Sequence, residues 1–274
     1  MSVILAPQTL GGRGLGLIEA FRWDLRNNSH PAHAVVGAGT PPPRKSLADL
    51  VHIPPGQAFA DQGKRQECVG WALHQIVHVR SRAMGLAPIT PSPTAIYYQA
   101  RARRYGWDAV WDGGSNPHEA LSSLREVGIV RYADWPHTSP VNSCPPPDAY
   151  RVGADKDWLS YHWVLTGGQA RTNEVVGLLA SSRPVMVAIQ VDEGLESWTA
   201  GDAPWQRSGP ILGGHAVSIV GYDTLANGRR VFVVANSWGL IHDHGFFLMS
   251  QEALESNETT YLCCVEIDAE KVPS

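Results

Sequence analysis

The sequence predicts an α+β protein in which helices come first and an antiparallel sheet follows, and three observations carry that expectation. Apolar residues recur at helical spacing through residues 68–82, and the helix-start pairs Ser92-Pro93 and Asn116-Pro117 follow. Beyond residue 180 the texture changes to short Val- and Ile-rich runs separated by turn residues. Between the halves, the proline-rich segment 144–148 reads as a crossover.

Residues 1–60 show little periodicity and carry Gly11-Gly12, Gly14, Gly16 and Pro41-Pro42-Pro43, so they read as a partly irregular, loosely packed arm with one short helix over about residues 17–25. Gly12-Arg13-Gly14-Leu15-Gly16 lacks a preceding strand, a Lys-Ser/Thr ending and GxGxxG spacing, so it is not a phosphate loop. Residues 61–150 form the helical part. Within it, Ala72, Leu73, Ile76, Val77 and Val79 cover most of the first helix, and His74, Gln75, His78, Ser81 and Arg82 form a polar stripe assigned to its wetter side. His74 and His78 stand four apart, but with no third ligand supplied a metal is not expected. Ser92 caps a second helix to about Tyr105, and Asn116 caps a third that stops near Gly128, with Glu119 placed to reach back to the cap. Residues 151–274 form the β-rich part: a short helix over about 172–180, then strands over 185–191, 216–222, 231–234, 246–249 and 261–267.

Composition narrows the function. With 43% hydrophobic and 18% charged residues the 274-residue chain is an ordinary globular protein, large enough for one domain or two lobes sharing a cleft. A net charge of -4 without a dense Lys/Arg run excludes a nucleic-acid footprint. No window approaches a membrane helix of about 18 apolar residues, and the N-terminus lacks the pattern of a secretory signal. Cytoplasmic residence is the expectation, with delivery into another cell by a signal-less route left open. The four cysteines, Cys68, Cys144, Cys263 and Cys264, form no CxxC pair and no metal-ligand spacing, so reduced thiols are expected. Cys263 and Cys264, adjacent on a strand, should face opposite sides.

The chemistry concentrates in three stretches. Cys68 follows a Gly-containing polar loop and opens the first helix, where unpaired N–H groups and the helix dipole favour a thiolate. Six residues before it, Gln62 offers an amide donor. Far downstream, His215 follows Gly213-Gly214 at the start of a strand, a rigid place for an imidazole that could serve a thiol as base. Asn236 ends an apolar strand, where it can fix the tautomer of a histidine, and Trp238 could shield that bond from water.

Gln62-Gly63 and Cys68 with Trp71-Ala72, then His215-Ala216-Val217 with Gly221-Tyr222, then Asn236-Ser237-Trp238-Gly239 resemble, in order and spacing, the motifs of the papain-like cysteine peptidases. The resemblance spans about residues 61–267. It implies a two-lobed fold, with a central helix carrying Cys68 in the helical lobe and an antiparallel sheet or barrel carrying His215 and Asn236. It also implies a Cys68–His215–Asn236 triad, Gln62 with the Cys68 N–H as oxyanion hole, and Trp238 as support for the triad. Gly113-Gly114 resembles the edge that pairs with the substrate backbone, and Ala188 and Ala216 would line the pocket for the residue before the scissile position. Val69-Gly70 separate Cys68 from Trp71, as in bacterial-looking members, and Arg65 stands where the family's disulfide cysteine would be. No long helical propeptide is expected before residue 61.

The implied activity is hydrolysis of peptide bonds through an acyl-enzyme, with a protein or peptide substrate and no cofactor. Two alternatives share the cleft: a Cys-dependent acyl transferase or ligase of transglutaminase-like type, and a catalytically silent peptide binder. A pure binder needs none of Gln62, Cys68, His215 and Asn236, which weighs against the second.

Overall fold

The computed structural model describes residues 8–10, 13–15, 30–37, 39–106, 111–153 and 158–272. The helix expected over 17–25 lies outside the described residues. In chain order the elements are β1 (Gln8–Leu10), β2 (Arg13–Leu15), β3 (His30–Pro31), β4 (Lys45–Ser46), α1 (Cys68–Ala83), α2 (Pro93–Tyr105), α3 (Pro117–Val127), β5 (Leu159–Trp163), α4 (Gly168–Ala180), β6 (Val185–Val191), α5 (Glu193–Ser197), β7 (Gly213–Thr224), β8 (Arg230–Ala235), α6 (Ile241–His244), β9 (Phe246–Ser250), α7 (Gln251–Glu255) and β10 (Thr260–Ile267). The order is α+β as expected, and the antiparallel sheet of the second half has the order β5-β10-β6-β7-β8-β9.

Helix starts follow the local chemistry. Ser92 accepts from the Ala95 N–H and Pro93 sits in the first turn of α2, while Asn116 accepts from the His118 and Glu119 N–H groups to start α3. Glu119 pairs with Arg103 at 2.8 Å instead of reaching back to the cap. Gly70 in α1 allows the close approach of α2: a Cβ there would stand 2.2 Å from the Pro93 carbonyl oxygen.

The sheet has an apolar layer on each face. One face packs α4 through Val175, Leu178 and Leu179 against Val187, Val217 and Ile219. The other packs α1, with Cys68, Leu73, Ile76 and Val77 clustered with Met186, Ala216, Cys263 and Val265. Each of those fully buried aliphatic side chains stabilises the fold by roughly 1.5–3 kcal/mol relative to exposure. Cys263 and Cys264 do face opposite layers, and all four cysteines are free thiols.

Two expectations need correction. The arm is not loosely packed over its second half: β3 adds to the sheet beside β5, β4 pairs with β7, and Leu47, Val51, Phe59 and Ala60 enter a buried cluster with Trp71 and Val220. Short two-residue strands give no periodicity for a sequence reading to find. The polar stripe of α1 is also not wet. His74, Gln75 and His78 are buried, because the 45–60 segment lies over that side of the helix: His52 donates its backbone N–H to Gln75 Oε1 at 2.9 Å and accepts from Gln75 Nε2 at 2.9 Å.

Candidate active site

The loop before α1 is set by its own side chains. Asp61 Oδ1 accepts from the Gly63 N–H at 2.9 Å, and Gly63 takes the left-handed φ of 58° that turns the chain. Gln62 is buried, and its Nε2 donates to the Arg65 carbonyl at 2.7 Å. Arg65, at the position of the missing disulfide, donates instead to the His137 and Ser139 carbonyls and so staples the loop to the 137–139 segment. Cys68 is the first residue of α1 and is buried, at the helix end where an anionic sulfur is favoured.

Glu67, just before it, makes no helix cap. Its buried carboxyl accepts from Trp71 Nε1 at 3.0 Å and Thr94 Oγ1 at 2.9 Å. Desolvation pushes this carboxyl up to about 7, opposed in part by the charge of Arg65 and by the two donors. Nothing in the sequence pattern marked Glu67, because a carboxylate at a helix start is ordinarily a solvated cap.

β7 places His215 beside this helix. Ser218, three residues on, donates to the Ala72 carbonyl of α1 at 3.0 Å, and Ala216 shares a buried cluster with Cys68. The hydrogen bonds then settle the imidazole. Asn236 Oδ1 accepts from the Ser237 N–H at 2.8 Å, so that atom is the oxygen, and it lies 2.8 Å from His215 Nε2. Nε2 therefore carries the proton and Nδ1 is left with its lone pair. Nδ1 is buried and has no hydrogen-bond partner among the described residues. Burial lowers the His215 pKa to about 4, against the opposing hydrogen bond to Asn236 and with the help of nearby His242. Trp238 stacks on the ring, centroids 4.5 Å apart and planes at 23°, and is itself fully buried.

The nucleophile loop and the strand-end motif are one unit. Gln62 N–H donates to the Ser237 carbonyl, Ser237 Oγ donates to Gln62 Oε1, Asp61 bridges to Trp238, and the Gly239 N–H donates to the Ala60 carbonyl. The structure thus brings Gln62 together with Asn236 and Trp238, residues more than 170 positions apart.

Gly113 and Gly114 are held from behind by Tyr97. Its hydroxyl accepts from the Gly114 N–H at 2.9 Å and donates to Asp112 Oδ1 at 2.6 Å, and Asp112 Oδ1 also accepts from the Gln66 N–H at 3.1 Å. Gly114 has φ 86°, which a side chain would strain. Ala188 and Ala216 face each other directly across β6 and β7, and both are buried. Among the described residues no group of three or more His, Cys, Asp or Glu could hold a metal ion, and no helix is long and apolar enough to cross a membrane.

The profile of the papain family of cysteine proteases matches residues 112–266, more than half of the chain. The chain belongs to that family. The match includes His215 and Asn236 and stops short of Cys68 on its N-terminal side. Among solved structures the fold is similar to xylellain, a cysteine protease from Xylella fastidiosa, with a TM-score of 0.73 over 96% of this chain and 99% of that one at 22% identity. It is also similar to the bromelain protease of Ananas comosus in complex with the E64 inhibitor, with a TM-score of 0.61 over 83% of this chain and 100% of that one at 17% identity. A cathepsin L-like proteinase of Fasciola hepatica is 28% identical over 128 residues, which are 46% of this chain and 36% of the relative. The matched region therefore spans about a third of that relative. The papain-family fold accounts for the packing of α1 on the sheet beside β7.

Proposed function

We propose that this papain-family chain hydrolyses peptide bonds, with Cys68 as nucleophile, His215 as its proton partner and Asn236 as the residue that orients His215. The observation that supports this best is the forced tautomer. With Nε2–H committed to Asn236 Oδ1, Nδ1 is the only basic atom of the ring, and the strand that carries it packs against α1, which begins at Cys68. In this reading Nδ1 takes the thiol proton, sulfur attacks the substrate carbonyl, and the proton passes to the leaving amine. Water then adds to the thioester and releases the acid. Gln62 and the Cys68 N–H would bind the oxyanion, with Trp238 covering the His215–Asn236 bond.

Residues 61–150 and 151–274 would act as the helical and β-rich lobes of one catalytic domain, with 1–60 as an N-terminal arm. Gly113 and Gly114 would present their backbone to an extended substrate, and Ala188 and Ala216 would leave room for an apolar side chain behind them. Turnover of a peptide library by wild type and by Cys68→Ala tests the reading. Loss of all cleavage in Cys68→Ala, with a thiol-directed inhibitor adding to Cys68 in wild type by intact mass, is the expected result. Cleavage that survives Cys68→Ala, or an adduct confined to Cys144, Cys263 or Cys264, would sink it.

A further inference from the structure

We propose that His242 is a positioning residue, a fourth member that extends the hydrogen-bonded line behind His215. The inference rests on the Cys68–His215–Asn236 reading above. His242 lies in the turn of α6, at φ 65° and ψ -130°, a backbone conformation that favours glycine. A histidine held there has a reason in its contacts. Its Nε2 is 2.7 Å from the Leu195 carbonyl oxygen, which can only accept, so Nε2 carries the proton. Its Nδ1 then has a lone pair, 3.5 Å from Asn236 Nδ2. The identity of Nδ2 is fixed independently, since Ser237 marks the other amide atom as the oxygen.

Each donor and acceptor in the line is thereby set from its two ends by backbone groups. The Leu195 carbonyl orients His242, His242 accepts from the Asn236 amide, and Asn236 accepts from His215. Without an acceptor at His242 Nδ1, the Asn236 amide keeps the Ser237 N–H but loses one of the contacts that oppose its rotation, and the restraint on the His215 tautomer weakens. Aromatic rings enclose the ring of His242: Phe247 at 5.5 Å, Trp238 at 6.0 Å and Trp198 at 6.1 Å between centroids. The bond to Leu195 also ties this line to the turn after β6, so α5 and its neighbours become part of what holds the imidazole.

Three variants separate positioning from packing. His242→Leu removes both polar atoms. His242→Gln puts a donor near the old Nε2 and so keeps the bond to Leu195. His242→Asn puts an acceptor near the old Nδ1 and so keeps the bond to Asn236. The expected result is a kcat lowered about five- to tenfold in the Leu and Gln variants with KM little changed, and most of that loss restored in the Asn variant. In an Asn236→Ala background, His242→Leu should lower kcat no further, because the line it supports is already cut.

An unchanged kcat in His242→Leu, or rescue by Gln in place of Asn, would overturn the proposal. The polar pair Gln and Asn carries the test should the Leu variant fail to fold. His215→Ala and Asn236→Ala, run in parallel, keep two failures apart. If they also leave turnover intact, the triad reading is wrong. If they abolish it and His242→Leu does not, only the role of His242 falls.

Discussion

Ser237 grips Gln62 twice, accepting its backbone N–H at 2.9 Å and donating its hydroxyl to Gln62 Oε1 at 2.6 Å. The first bond fixes where the loop passes and the second fixes which way the amide faces, with its oxygen toward Ser237 and its nitrogen away. The Gln62 amide nitrogen in turn donates to the Arg65 carbonyl at 2.7 Å, so both ends of the amide are held. Gln62→Ala should therefore lower kcat on a fluorogenic peptide by about a hundredfold or more with KM little changed, as loss of an oxyanion donor does. Ser237→Ala, which leaves the amide held by the Arg65 carbonyl but without the Ser237 hydroxyl, should cost less, about five- to tenfold. Equal losses in both variants would mean that Gln62 acts through the loop's shape alone.

Tyr97 joins the substrate edge to the nucleophile loop, since its hydroxyl binds both the Gly114 N–H and the Asp112 carboxylate that receives Gln66. Tyr97→Phe leaves a buried N–H and a carboxylate oxygen short of a partner, at a cost of about 1–3 kcal/mol in stability. The kinetic expectation is a KM raised several-fold while the rate of Cys68 alkylation holds, because α1 is not disturbed. A variant with wild-type KM would show that the Gly113-Gly114 edge does not meet substrate.

The three motifs were legible because each residue keeps its chemistry at a chain position that local rules expose: a Cys at a helix start, a His after two glycines, an Asn at a strand end. Strands β6 to β10 were legible for the same kind of reason, as apolar runs between turns. The partners that tie the motifs together were not. Ser237 donates to a residue 175 positions away, and Tyr97 looks like one more helix core residue until α2 is packed behind Gly114. β5 escaped notice because Ser160 and His162 interrupt the apolar residues of Leu159–Trp163, which therefore offers no continuous apolar run. His74 and His78 misled in the opposite sense, since a polar stripe reads as wet unless one knows that the 45–60 segment covers it.

Glu67 makes stability fall as pH rises. Its carboxyl sits near 4.5 when unfolded and is pushed by burial up to about 7 in the fold, so the folded state holds the extra proton between those values. The contribution is fully present below the unfolded value and lost as pH climbs through the folded one. Glu67→Gln keeps an acceptor for Trp71 Nε1 and carries no charge at any pH. Urea midpoints should thus be similar for the two proteins at about pH 4.5, with the variant ahead by of order 2 kcal/mol at about pH 8. A constant offset across that range would show that Glu67 does not change protonation on folding.

Behind α1 the opposite sign applies. His52 Nδ1 and His74 Nε2 are 2.9 Å apart, His74 Nδ1 meets the Pro91 carbonyl, and His78 Nδ1 meets Thr90 Oγ1 at 3.0 Å. The Pro91 carbonyl makes His74 Nδ1 the donor, so His74 Nε2 accepts from His52, and that arrangement works only with His74 neutral. Desolvation lowers all three pKa values, with added repulsion from His52 on the other two and from Arg82 on His78, which falls to about 4. A depressed histidine stabilises the fold fully above its unfolded value near 6.5, and that contribution drains away as pH falls toward the folded one. His78→Asn can keep the Thr90 bond and removes one such group. Between about pH 7 and about pH 4.5 the wild-type urea midpoint should drop steeply, and the variant should lose less over the same interval, by a few kcal/mol at most. Parallel slopes for the two proteins would show that His78 takes up its proton alike in folded and unfolded chains, and the acid sensitivity would then have to come from His52 and His74.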